Sequence, residues 1–299
     1  MNLPSAIVSS PPRDVPLSTR IVTLLGGPLN PFGWIFFGFG MLFVFGFIGD
    51  ADLTSWYLFR GQTETAQGIV TAVEKTNATE GGDKHGHGGT PIYAYSYHFT
   101  YSQTEHQGVS YRVGMAAQAG ATVTVEFPKN HPDISRIQNM RRNVFGPSVM
   151  FVLLFPLIGL IFIIINLTRG RKNLSLLANG EHVQAVHTDK EATRTQINKR
   201  TVYKVWFEFT DLHGELQKAF TKTINPGIIE GTGLEPLFYN RQSPSQIVLL
   251  RDLPRDNATL DERGQVSPCG LLALLKVLWP PLLGLAFIVA GWVLSHHIG

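Results

Sequence analysis

The side chains best suited to holding a metal stand in one short loop, Glu80-Gly-Gly-Asp-Lys-His85-Gly-His87-Gly-Gly89. Imidazoles at i and i+2, with Asp83 beside them, suit zinc, copper or nickel. His98 and His106 would add ligands if the fold brings them close. Five glycines among these ten residues weigh against it, because closing so free a backbone on an ion costs conformational entropy. A solvated hairpin loop is therefore favoured over a metal site at His85 and His87. No other cofactor is expected, and a transition metal is the one kind for which the chain offers ligands.

Other chemistry is hard to find. The chain has no Gly-x-Ser-x-Gly elbow, His-Glu-x-x-His helix, phosphate-binding Walker loop or Gly-x-Gly-x-x-Gly fingerprint. No catalytic residue and no small-molecule substrate are assigned. Trp206 is the best interaction candidate: strand periodicity puts it on an outer face, where a large exposed aromatic can mark a contact surface. Packing on a linker or at a membrane interface is an equal alternative. Cys269 is the single cysteine, so no intramolecular disulfide forms. It reads as a buried thiol, with lipid modification as the alternative.

The elements that carry these residues follow from composition. Of 299 residues, 44% are hydrophobic and only 16% charged, against about 25% charged in soluble domains. The deficit lies in three uncharged stretches, residues 32–49, 144–168 and 277–295, each near the ~20 residues that cross a bilayer as a helix. A net charge of +3 is too small and dispersed for a nucleic-acid surface.

The spacing predicts a Pro-rich disordered segment over 1–31, transmembrane helices at 32–58, 143–168 and 269–296, β-domains at 62–140 and 176–255, and a linker at 256–268. The first apolar stretch lacks a cleavage site and reads as a retained anchor. Gly38, Gly46 and Gly49 share a helix face and predict close helix packing. Pro156 and the Pro280-Pro281 pair predict kinks.

Lys and Arg number 8 between the first two stretches and 14 between the last two, with Lys276 counted at the start of the third. Arg169, Arg171 and Lys172 abut the second stretch. Positive charge favours the cytoplasmic side, so the N-terminus and second β-domain are expected in the cytoplasm. The first β-domain and C-terminus then face the periplasm or exterior. Arg141-Arg142 argues the other way.

Both polar lobes read as β. Tyr93, Tyr95, Tyr97, Phe99 and Tyr101 alternate with small or polar residues, and so do Tyr203, Val205, Phe207 and Phe209. Landmarks repeat: Gly68 and Gly180, Phe127 and Tyr239, and Pro132 and Pro244 each differ by 112, while Tyr93–Tyr203 and Phe99–Phe209 differ by 110. Such an offset predicts a duplicated domain. The fold class is thus membrane α plus all-β, with three transmembrane helices and two small antiparallel β-barrel or sandwich domains related by duplication.

The order Gly68-x-Val70, Tyr95-x-Tyr97-x-Phe99, Val123-x-Val125-x-Phe127 and Pro132 resembles the bacterial family catalogued as domain of unknown function 3592, small β-domains on proteins with a few membrane helices. The second lobe keeps Gly180, Val183, Phe207, Phe209, Tyr239 and Pro244, whereas Glu235-Pro236 is expected to break its Val-x-Val strand. The resemblance implies the fold and a bacterial inner membrane, and supplies no active site. The expected role is that of a non-enzymatic structural or interaction protein. Its expected partners are the lipid bilayer and other protein subunits or a second copy. A metal-binding or sensory module using the His85/His87 loop is the alternative, and a membrane enzyme with a site between the lobes ranks last.

Overall fold

The computed structural model describes residues 8–82, 88–197, 199–226, 233–253, 260–261 and 264–297. Its helices are α1 (Leu17–Leu25), α2 (Leu29–Phe47), α3 (Ser55–Leu58), α4 (Leu154–Asn179) and α5 (Leu271–His297). The strands are β1 (Thr63–Glu80), β2 (Thr90–Tyr101), β3 (Thr104–Val113), β4 (Thr122–Pro128), β5 (Arg136–Ile137), β6 (Glu181–Ile197), β7 (Arg200–Thr210), β8 (Leu216–Thr223), β9 (Leu234–Asn240) and β10 (Ser243–Leu249). Three helices, α2, α4 with the 3-10 turn Pro147–Leu153 before it, and α5, are long and apolar enough to cross a membrane. Their exposed side chains include Phe36, Phe155, Ile161, Leu282 and Leu285, the surface expected of a lipid-facing helix. The chain divides into two compact units, residues 40–154 with 289–299, and residues 1–39 with 155–288.

The first unit carries an antiparallel sheet of order β3-β2-β1-β4-β5. Alternation along β2 buries Tyr95, Tyr97 and Phe99 against Val70, Val125, Phe127 and Ile137, each large side chain contributing about 1.5–3 kcal/mol. The Tyr97 hydroxyl donates to Ser135 Oγ (2.9 Å). Gly108 makes room for it, since a Cβ there would lie 2.5 Å from the Tyr97 oxygen. Beyond β5, Tyr111 and Arg141 exchange backbone hydrogen bonds (2.7 and 2.9 Å), joining the sheet's two ends. Arg141 also ion-pairs with Glu80 at 2.6 Å. Buried Asp52 accepts from the amides of Ser55 and Arg142 (3.1 and 2.9 Å). These bonds tie the segment after α2 to the segment leading into α4. The predicted helix over 32–58 accordingly stops at Phe47 and resumes only as α3.

The second unit carries a sheet of order β10-β9-β6-β7-β8, the same order when its strands are renumbered from one. It curls nearly into a barrel around Ala185, Val205, Phe207, Phe209, Leu237, Tyr239 and Leu249. The hairpin between β7 and β8 turns on Asp211, whose carboxylate accepts from the amides of His213 and Glu215 and from Gln217 Nε2 (2.8, 3.0 and 2.9 Å). Glu235 and Pro236 do not break β9, which runs through both in register with Ala185 and Gln184 of β6. Pairing with β10 begins only at Leu237, so Pro236 has one hydrogen-bonded neighbour strand, where a missing N–H is tolerated.

Ladder register gives a residue-by-residue correspondence between the sheets. Gly68 faces Val123 and is followed by Ile69 opposite His98, and Ala185 faces Glu235 and is followed by Val186 opposite Glu208 in the same way. Gly68 therefore corresponds to Ala185, not to Gly180. Gly180 instead follows the last turn of α4, and a Cβ there would lie 2.4 Å from Leu176 O. The bulges match as well: β1 shifts register at Val70/Ala72 and Lys75/Thr79, and β6 at His187/Asp189 and Ala192/Gln196.

The N-terminal segment departs from expectation. It contains α1, and its buried Val15 packs with Leu176, Leu177, Phe238 and Val248. Arg13 is 7% exposed. Its guanidinium donates to Gly180 O (2.7 Å), Leu177 O (3.3 Å) and Ser9 O (2.7 Å), and its amide to Ala178 O (2.7 Å). It thereby satisfies carbonyls that α4's C-terminus leaves open and sets a positive charge at the negative end of the helix dipole. The same guanidinium lies 4.6 Å from the Phe238 ring centroid. No local periodicity is needed, since tertiary contacts fix the arm.

Small residues set the helix packing in this unit. Gly38 meets Gly284 and Gly159 meets Phe37 so closely that added Cβ atoms would lie 2.5 and 2.3 Å from backbone. Gly46 and Gly49 contact nothing in this way, so of the three glycines predicted to pack, Gly38 alone does so. Buried Asn30 and Asn166 donate to Val277 O and Leu24 O (3.0 and 3.2 Å). Pro156 lies where the 3-10 turn Pro147–Leu153 passes into α4, so the missing N–H falls at a change of helix type rather than inside regular α-helix.

Candidate functional site

The outward face of β7 and β8 carries Trp206. The Asp211 turn fixes a register in which Trp206 faces Phe220 and Glu208 faces Lys218. The Trp206 and Phe220 rings lie 4.9 Å apart. Lys218 Nζ stands 5.7 Å from the Trp206 ring and Lys204 Nζ 5.6 Å from the Phe220 ring. Lys218 also pairs with Glu208 at 3.4 Å and Lys204 with Glu191 at 3.5 Å. Phe220 is 41% exposed, and Val186 and Leu234, facing each other on the same side of β6 and β9, are 48% and 55% exposed. Trp206 is half-buried, and the Glu208–Lys218 pair continues the row of Leu234 and Val186, so the face mixes aromatic, aliphatic and charged groups, a composition found at protein interfaces. The corresponding outward positions of the first sheet hold Ser96, Val109, Ile69 and Thr122, with no aromatic among them.

The sequence reading names Trp206 and not Phe220, Val186 or Leu234. The signal was present: closing the Asp211–Gly214 turn antiparallel puts Phe220 opposite Trp206.

The inside of the second sheet differs from the first in kind. Glu235, 1% exposed, shares the inward face of β9 with Leu237 and Tyr239, at the position where the first sheet packs half-buried Val123 against its core. Its carboxylate meets Arg251 at 2.6 Å. A buried carboxylate needs such a partner to remain charged. Thr221 Oγ1 donates to Asp252 Oδ2 at 2.8 Å beside this pair. Inward His187 replaces Val70, its Nε2 buried without a hydrogen-bond partner among the described residues. The polar groups inside the first sheet are neutral hydroxyls, whereas its counterpart holds a carboxylate, a guanidinium and an imidazole.

His85 and His87 lie outside the described residues. His106 faces Phe99 across the β2–β3 ladder, with its ring 5.4 Å away. His98, one residue along β2, therefore points to the opposite side of the sheet, so the two histidines cannot complete one coordination sphere. Among the described residues no group of three or more His, Cys, Asp or Glu side chains is arranged to hold a metal. Cys269 is buried, and its amide donates to the Ser18 and Thr19 hydroxyls (3.0 and 3.2 Å). No family model, curated protein or solved structure matches this chain.

Proposed function

We propose that this chain is a membrane-anchored, non-enzymatic scaffold or accessory subunit of a bacterial inner membrane, whose second β-domain binds another protein or a second copy. The observation that carries this reading is the Trp206–Phe220 patch with its Val186–Leu234 extension. Several large apolar side chains exposed on one face can mark an interaction surface. The equivalent face of the other sheet lacks the aromatics, so the patch is not a requirement of the fold.

The two sheets are copies of one ancestral unit on this reading, supported by identical strand order and matched bulges. Kinship with the domain of unknown function 3592 family is part of the same proposal. A single span separates the lobes in sequence, which sets them on opposite sides of the bilayer, and the more basic second lobe is cytoplasmic. Catalysis has no part in the proposal.

A photo-crosslinking residue at position 220 tests it in intact membranes. The expected outcome is a discrete crosslinked species that Trp206→Ala reduces at least about fivefold, as for loss of an aromatic anchor. No crosslink at 220, together with a monomer on gentle extraction, would overturn the interaction role. Reporter fusions at residues 82 and 215 check the topology.

A further inference from the structure

We infer that the cleft between α1 and the C-terminal turns of α4 is a binding site for the phosphodiester headgroup of an anionic phospholipid. The cleft has a volume of about 360 Å³ and is lined by Val15, Arg20, Arg171, Leu174, Ser175 and Ala178. Pockets that take a small ligand start at roughly this size. Arg171, Leu174, Ser175 and Ala178 recur at three and four residues, so one face of α4 supplies them. Arg20 comes from α1 and closes the opposite wall.

Two guanidinium groups converging on one cleft present the fork geometry that phosphate oxygens accept. Arg20 Nε donates to Val15 O (2.7 Å), which holds the side chain in place. Its contact to Asp14 is 3.3 Å, and that carboxylate is 97% exposed, so water screens the pair and an anion can displace it. The negative end of the α4 dipole lies nearby and would repel an anion. Arg13 already spans that end through Leu177 O and Gly180 O, leaving the field of Arg20 and Arg171 dominant.

Depth selects a lipid over a free anion. The apolar run of α4 ends at Leu167, and Arg171 follows four residues later, about 6 Å along the helix. That matches the headgroup layer, which adds about 5–7 Å to each side of the hydrocarbon core. Leu17, 72% exposed on α1 one turn before Arg20, offers an apolar surface to an acyl chain. Basic pockets beside membrane helices recognise anionic headgroups in this way.

The inference rests on the reading that the chain is embedded in a membrane. Native mass spectrometry of the full chain in detergent, titrated with phosphatidylglycerol, phosphatidylcholine or free glycerol 3-phosphate, tests it. One retained phosphatidylglycerol is expected, with neither alternative binding within tenfold. R20Q/R171Q should weaken it at least about tenfold, the scale of two charge-assisted bonds, while R20K/R171K retains most of it and the neighbouring R169Q/K172Q is unchanged. An unchanged size-exclusion profile establishes that the variants fold. Equal binding of glycerol 3-phosphate or phosphatidylcholine, or equal loss in R169Q/K172Q, would overturn the site while leaving membrane residence intact. Recovery of the chain in the soluble fraction without detergent would sink both.

Discussion

Thr76 and Thr193 hold the same bulge in two different sheets. Each hydroxyl donates to a carbonyl of the facing strand, Ile92 O at 2.9 Å and Val202 O at 2.7 Å. Each also accepts from the amide two residues on, Ala78 at 3.2 Å and Thr195 at 3.3 Å. The extra residue of a bulge leaves backbone groups outside the ladder, and the threonine takes up one donor and one acceptor. Thr76→Val and Thr193→Val should each cost about 1–2 kcal/mol. Hydrogen exchange should quicken at amides 78 and 195 while the core of each sheet stays protected. Equal exchange in wild type and variant would show that the hydroxyls hold nothing.

Removing the ion pair inside the second sheet should be worse than removing it together with its burial. Arg251→Met leaves the Glu235 carboxylate buried without that guanidinium, at a cost of about 1–3 kcal/mol, discounted because Arg251 is partly exposed. Glu235→Val with Arg251→Met recreates the apolar filling that Val123 gives the first sheet, and should recover most of the loss. Denaturant unfolding of the four proteins of this cycle measures the coupling. Additive effects would deny it.

Stability should fall on the acid side through His182. Burial first, and the Arg13 charge second, lower its pKa beneath the ordinary imidazole value. The unfolded chain therefore binds a proton at higher pH than the folded one does. Folding stability is complete above about pH 6.5, the unfolded value, and declines as pH drops from there toward the lowered folded value. His182→Gln should flatten thermal stability between pH 7 and 5. A Gln variant as acid-sensitive as wild type would assign the effect elsewhere. Arg13→Met should cost about 2–4 kcal/mol, since it strips charge-assisted bonds from buried carbonyls.

Helix packing gives the last prediction. Gly38→Val places new atoms where Gly284 backbone already stands, so α2 and α5 must part, at about 1–3 kcal/mol. Gly46→Val, with open space around it, serves as the control. Melting temperature in detergent should drop for the first and hold for the second.

Much of the fold was legible because burial writes itself into alternation. Tyr95, Tyr97 and Phe99 announce β2, and Val205, Phe207 and Phe209 announce β7, since each buries every second side chain. The same parity would have exposed Glu235, two residues from Leu237 and four from Tyr239, as an inward carboxylate. Pro236 beside it reads as a strand breaker, and the relief depends on where β10 stops pairing. Matching Gly68 with Gly180 failed for a related reason. Glycine identity marks close approach, and the two approaches differ: Gly68 meets Phe99 and Val125, whereas Gly180 meets the last turn of a helix. The arm around Arg13 carries no periodic signal at all, because its partners lie 164 and 167 residues away.

That separation governs how the protein is made. Arg13 leaves the ribosome long before the carbonyls it will cap, and Ser9 precedes its Gly264 partner by 255 residues. At about 5–20 residues per second, the arm waits on the order of ten to fifty seconds with its cation unspent. The first β-sheet can close in that interval with its own residues alone. The arm can therefore dock only after α4 and the segment around Gly264 have been made, and a bulky fusion close to Ser9 would obstruct that docking and spare closure of the first sheet.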